Sequence, residues 1–178
     1  MNTVRYFALL ITLLLTDHLP AQAVRKSFPE PAPSPNQLFY LQRSKDINTV
    51  VYEANLSAGK KLNPDKPVQV YWIRYAEQGQ REDLTSVQWQ MAYGYTHRPL
   101  ASDAYEISLN SFKQRPMQII TLRGKPMAMM TINGQRAYLQ KVFVQLDPKS
   151  RLMPRVQYIE MFGTDTDKGK PVYERIIP

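Results

Sequence analysis

The stretch Pro126-Met127-Ala128-Met129-Met130-Thr131-Ile132-Asn133-Gly134-Gln135 decides the fold class. Asn-Gly between two apolar runs is the strongest short hairpin signal, because both residues tolerate the positive φ that a tight two-residue turn requires. It predicts one strand over 126–132 and a second that begins near Gln135, runs from Ala137 to Leu146 and is ended by Asp147-Pro148. Upstream, Met117 to Leu122 is joined to the first of these by Arg123-Gly124-Lys125, a loop short enough for a further hairpin. Before that, Tyr105, Ile107 and Leu109 alternate with Glu106, Ser108 and Asn110, the period-two pattern of a half-buried strand. Downstream, Val156 to Phe162, ended by Gly163, and Val172 to Ile177 complete an antiparallel meander.

The first half adds three strands and a helix. Leu38 to Leu41 is short, while Asn48 to Leu56 is richer in β-branched and aromatic residues. Gly59 and Asn63-Pro64-Asp65 mark the turn region after it. In Pro67 to Tyr75, Val68, Val70 and Trp72 share one face and Tyr71, Ile73 and Tyr75 the other, which predicts a central strand covered on both sides. Thr85 and Gln88 have capping-box spacing, Leu84, Val87 and Met91 form an apolar stripe expected to pack on the sheet, and Gly94 supplies a stop. The prediction is an α+β fold with eight or nine mainly antiparallel strands, closed as a barrel-like body or a sandwich, and one short helix.

The ends of the 178-residue chain are of different character. Arg5, the apolar run Tyr6 to Leu15, Pro20 and Ala21-Gln22-Ala23 together have the form of an export signal, residues 1–23, cleaved near Ala23. About ten apolar residues are too few to span a bilayer, where about 20 are needed. The remaining protein is therefore expected in the periplasm or outside the cell, with no transmembrane span. Residues 24–37 carry Pro29, Pro31, Pro33 and Pro35 and read as a proline-rich linker before a single domain, 38–178.

Composition narrows the chemistry. There is no cysteine, which excludes disulfides, thiol catalysis and zinc–cysteine sites. Of two histidines, His18 lies in the signal, leaving His97. The Asp165-Thr166-Asp167 run has a misplaced glycine, Gly169, and no closing glutamate, so it reads as a turn rather than a calcium loop. No metal and no cofactor is predicted. The net charge of +8 favours encounter with anionic envelope material. Nucleic acid is not expected as a partner, given export and the lack of a basic recognition helix. Lys60-Lys61, Arg123, Lys125, Lys149, Arg151, Arg155, Lys168 and Lys170 sit mostly beside turn residues and read as solvated loop charges.

Acid–base candidates are few. His97, with Asp103, Asp83 or Glu82 as an orienting acid, is the one weak catalytic candidate. Glu82-Asp83, Glu106 and Glu160 are the carboxylates a glycosidase-like pair would need, but negative charge at Glu82-Asp83 suits the start of the helix. On a strand, the apolar neighbours of Glu160 (Ile159 and Met161) point to the opposite face.

Several stretches carry a family resemblance. They are Phe39 to Leu56, Pro67-Val68-Gln69-Val70-Tyr71-Trp72-Ile73, Ala92-Tyr93-Gly94-Tyr95, Ile132-Asn133-Gly134 and Leu139-Gln140-Lys141. Together they resemble the DUF4833 type, an uncharacterised family of mostly bacterial, often exported proteins. The resemblance implies one compact domain from Leu38 to Pro178 and no activity. Arg43, Tyr52, Trp72 and Tyr93 fall within these stretches and are the candidate ligand-binding residues. A guanidinium held away from water needs a carboxylate or phosphate partner. The alternative is structural: Arg43-Ser44 and Asn48 lock the connection between the first two strands, and Trp72 is core. Three functions follow as expectations: a non-catalytic exported protein binding an anionic envelope component or lipid-like, amphipathic ligand; an envelope-directed hydrolase using His97; or a structural or protein-interaction module.

Overall fold

A computed structural model describes residues 28–149 and 154–178, and the predicted export signal, the first part of the proline-rich stretch and Arg151 lie outside the described residues. Eleven strands form one sheet: β1 (Gln37–Arg43), β2 (Asp46–Ala54), β3 (Val68–Arg74), β4 (Gln80–Asp83), β5 (Tyr95–Ala101), β6 (Ala104–Leu109), β7 (Met117–Leu122), β8 (Lys125–Ile132), β9 (Gln135–Leu146), β10 (Val156–Asp165) and β11 (Pro171–Ile176). The nine predicted strands are all present. The two that the sequence pattern does not show are β4 and β5, edge strands whose side chains are exposed except at Tyr95. Solvent on their faces removes the apolar alternation by which strands are recognised.

The mainly antiparallel order is β4-β3-β2-β1-β9-β8-β7-β6-β5, with β10 and β11 on the other edge of β9. Among the described strands the one parallel pairing is β1 with β9. At the predicted Asn-Gly turn, Asn133 and Gly134 take φ of 49° and 74°. β9 organises the whole. Its twelve residues span about 40 Å at 3.3 Å per residue. One edge is shared: Gln135 to Tyr138 pairs with β8, and Lys141 to Val144 pairs with β1. Two wings, β1–β4 and β5–β8, therefore leave the same edge of one strand, and the sheet curls into a half-barrel.

A bulge makes this possible. Phe162 pairs with Lys141 but Gly163 pairs with Leu139, leaving Gln140 as an extra residue in β9. The inward parity changes from Ala137 and Leu139 to Val142 and Leu146, so both halves of the strand bury their apolar side chains. Tyr95 stitches the wings together. Its hydroxyl donates to the Val68 carbonyl (2.7 Å) and accepts from the Val68 amide (3.0 Å).

Two sequence expectations need correction. β3 is covered on both faces, with Val68, Val70 and Trp72 in the main core and Tyr71 in a smaller cluster with Tyr40 and Val51, yet it is next to the edge rather than central. The helix, α1, opens as Ser86–Gln88 with both capping-box hydrogen bonds present and widens into a π turn over Trp89–Tyr93. That widening changes the periodicity. Trp89, Ala92 and Tyr93 turn inward, and Val87 and Met91 of the expected buried stripe are 63% and 75% exposed.

From Phe28 onward the proline-rich stretch lies against the sheet. Phe28 packs on Phe143 with ring centroids 5.4 Å apart, and Gln42 Nε2 donates to the Pro29 carbonyl at 2.7 Å.

Candidate functional site: an apolar cavity with an aromatic–guanidinium wall

The inner face of β1 and β6–β10 does not close completely. It leaves a cavity of about 420 Å³, whose floor includes Met117, Met130, Leu139, Val142, Ile159 and Met161. Met91, Ser111 and Pro154, all exposed, mark its mouth. The lip is held in place by backbone contacts. Asn110 Nδ2 donates to the Trp89 carbonyl (2.9 Å), and Ser111 Oγ to the Ala92 carbonyl (2.7 Å). The Gly94 amide closes the π turn on the Trp89 carbonyl (2.9 Å). A Cβ at Gly94 would strike that same carbonyl and the indole, so the turn requires glycine.

Among the described residues two charged side chains line the cavity, and both are arginines. Arg115 makes a bidentate pair with Glu174 (2.8 and 3.0 Å) and donates to the Thr131 carbonyl. Arg115 and the hydrogen bond from the Asn133 amide hold the Glu174 carboxyl below the usual carboxylate range, against the opposing effect of burial. Arg43, the last residue of β1, pairs with Asp46 at 2.7 Å. Its Nε is buried with no hydrogen-bond acceptor. Its Cζ lies 5.2 Å from the Trp72 ring centroid and 5.5 Å from that of Tyr93.

The four candidate ligand residues thus come together from four elements. Tyr52, from β2, donates its hydroxyl to the Tyr93 carbonyl at 2.9 Å. Tyr93, from α1, meets Trp72 of β3 edge to face at 5.1 Å. Arg43 and Tyr93 line the cavity, while Tyr52 and Trp72 stand behind them. The Trp72 Nε1 is buried without an acceptor. Burial pushes the Tyr93 hydroxyl above the ordinary phenol value, and the Arg43 charge opposes the shift in part. Structural contacts surround the same residues. Arg43 with Asp46, the Ser44 Oγ accepting from the Leu146 amide and the Asn48 Oδ1 accepting from the Ala76 amide all secure the β1–β2 connection.

The other candidates lie elsewhere. His97 is exposed on β5, with its Nε2 3.1 Å from the Pro64 carbonyl and its ring 6.0 Å from those of Tyr95 and Tyr105. Asp103 Oδ1 accepts from the Leu62 amide instead of meeting the imidazole. Glu106 is bidentate with Arg98, Glu82 lies 3.3 Å from Arg74, and Asp83 is exposed on β4. Glu160 is buried on the outer face, accepting from Tyr173 and Arg175 (both 2.7 Å), opposite Ile159 and Met161 as expected. Among the described residues, no three His, Asp or Glu side chains are grouped to hold a metal ion. Asp165 Oδ1 accepts the Asp167 and Lys168 amides, the arrangement of a turn. These two bonds lower the Asp165 pKa.

Sequence reasoning missed Arg115 and the cavity floor. Arg115 lies in a polar run before β7 with no pattern to distinguish it from a loop charge. The floor residues read only as core, because an apolar wall and an apolar core have the same periodicity.

A family model described as "Domain of unknown function (DUF4833)" matches residues 39–175. The chain belongs to the DUF4833 family. Comparison with curated proteins and with solved structures finds no match. In this DUF4833 chain the match runs from within β1 into β11, so it takes in the strands that wall the cavity and the four residues that converge beside it.

Proposed function

We propose that this chain is a non-catalytic binding protein that takes an amphipathic ligand into the cavity inside the half-barrel. The observation that carries the reading is the cavity itself, about 420 Å³ and walled by aliphatic, methionine and aromatic side chains. Ligand sites are concave, mostly apolar and about 300–1,000 Å³, with a few polar groups that set orientation. Methionine side chains rearrange easily, which suits a flexible chain. The ionisable groups on the wall that carry charge are guanidiniums, which do not give up protons in proteins, and this favours binding over acid–base chemistry. No described helix is long and apolar enough to cross a membrane. The export-signal pattern and the net charge of +8 support an anionic envelope component as the source of the ligand.

The test is native mass spectrometry of the purified chain, followed by titration with a polarity-sensitive dye. The expected result is a co-purifying or captured amphiphile and saturable dye binding at one site. Val144→Phe, which places a ring on the cavity wall, is expected to lower dye affinity at least tenfold while the melting temperature holds. A clean apo mass together with no dye binding would overturn the reading.

A further inference from the structure

We infer that the cavity takes a single-chain amphiphile with a monoanionic carboxylate head, and that Arg43 receives that head. The inference rests on the reading of the cavity as a ligand site and adds the class of ligand.

Size sets the chain. At about 30 Å³ for each water-sized group, about 420 Å³ holds about 14 of them. That is enough for one acyl chain of roughly twelve carbons with its head.

Charge sets the head. Arg43 and Arg115 line the cavity, and among the described residues no acidic side chain does. Arg115 is neutralised by Glu174, bonded through both carboxylate oxygens, and is tied further to the Thr131 carbonyl. Arg43 makes one ion pair, to Asp46, and its side chain stays 27% accessible, which leaves terminal N–H groups for an anion. A guanidinium presents five N–H groups in a planar fork that matches a carboxylate. The Trp72 and Tyr93 rings, at 5.2 and 5.5 Å, hold the fork against the wall. Asp46 at 2.7 Å already balances part of the charge, so a head carrying one negative charge is accommodated better than one carrying two.

The experiment compares dodecanoate, dodecanol, dodecyl phosphate and dodecyltrimethylammonium by calorimetric titration at pH 8 and low ionic strength, each below its micelle-forming concentration. Dodecanoate is expected to bind at least tenfold more tightly than dodecanol and the cation, and at least as tightly as the phosphate. Across the saturated acids from eight to eighteen carbons, affinity should peak near twelve. In Arg43→Gln the preference for acid over alcohol should shrink to below threefold with the alcohol's affinity kept. Arg43→Lys should retain part of the preference, and Arg123→Gln, at an exposed turn, all of it. Should Arg43→Gln not fold, the comparison of heads and chain lengths on the unaltered protein still decides the matter. If dodecanol binds as well as dodecanoate, or Arg43→Gln keeps the full preference, the head-group assignment is overturned while the cavity reading stands. If none of the four probes binds, both fall.

Discussion

Arg43 and its aromatic neighbours show how much one position can carry. The side chain closes the β1–β2 turn through Asp46, lies over Trp72 and Tyr93, and lines the cavity. Tyr52 supports the arrangement from behind, stacked on Phe39 at 4.3 Å with its hydroxyl on the Tyr93 carbonyl. Tyr52→Phe leaves that buried carbonyl without this donor and should cost about 1–3 kcal/mol, read as a lower urea midpoint. Tyr95 contributes to the pH dependence. Burial pushes its hydroxyl from 10.0 up to about 12, against the opposing effect of its bond to Val68. A raised phenol pKa means that the unfolded chain loses its proton first. The stabilisation is complete below pH 10 and is lost as pH rises toward 12. At about 1.4 kcal/mol per pH unit, Tyr95 alone should withdraw roughly 2 kcal/mol over that window. Burial raises Tyr52 and Tyr71 in the same direction. Urea melts at pH 9, 10, 11 and 12 should show a flat midpoint and then a fall. A midpoint unchanged to pH 12 would contradict this.

At the scale of the element, the β9–β10 bulge and the α1 cap are where sequence and geometry meet. A Cβ at Gly163 would stand 2.5 Å from the Tyr138 carbonyl oxygen and 2.9 Å from Ile132 Cδ1. Gly163→Ala should therefore cost about 1–3 kcal/mol through strain in the ladder, seen as a lower melting temperature by circular dichroism. The bulge leaves a mark in the sequence: Gln140-Lys141 puts two polar residues together and interrupts the alternation of β9. The helix shows the opposite case. Its cap was legible in Thr85 and Gln88, and Thr85→Ala should cost about 1 kcal/mol and loosen the lip of the cavity. Faster hydrogen exchange at the Gln88 and Trp89 amides would report it. Its buried face was not legible, because the π turn is closed by the Asn110 and Gly94 contacts rather than by local propensity.

At the scale of the whole molecule, a forked sheet with an unfilled interior implies that ligand binding and stability are linked. An amphiphile at one hundred times its Kd should add about 2.7 kcal/mol to the folded state. For a domain of this size that is a rise in melting temperature of several degrees, measurable by differential scanning fluorimetry and expected to be lost in the cavity-filling variant. Nine strands, their hairpin turns, the helix cap and the DUF4833 membership could be read from the order of residues alone, since alternation, turn chemistry and capping act over a few positions. Arg43, Tyr52, Trp72 and Tyr93 were also legible as a set. Their convergence was not, since it depends on β1, β2, β3 and α1 meeting in space. The fork at β9, the edge strands β4 and β5, the inward face of α1, and the cavity with Arg115 on its wall were decided by tertiary structure. Each depends on which distant segment occupies a strand edge or leaves a volume unfilled, and hydrogen bonds between segments so far apart in the chain have no signature in local periodicity.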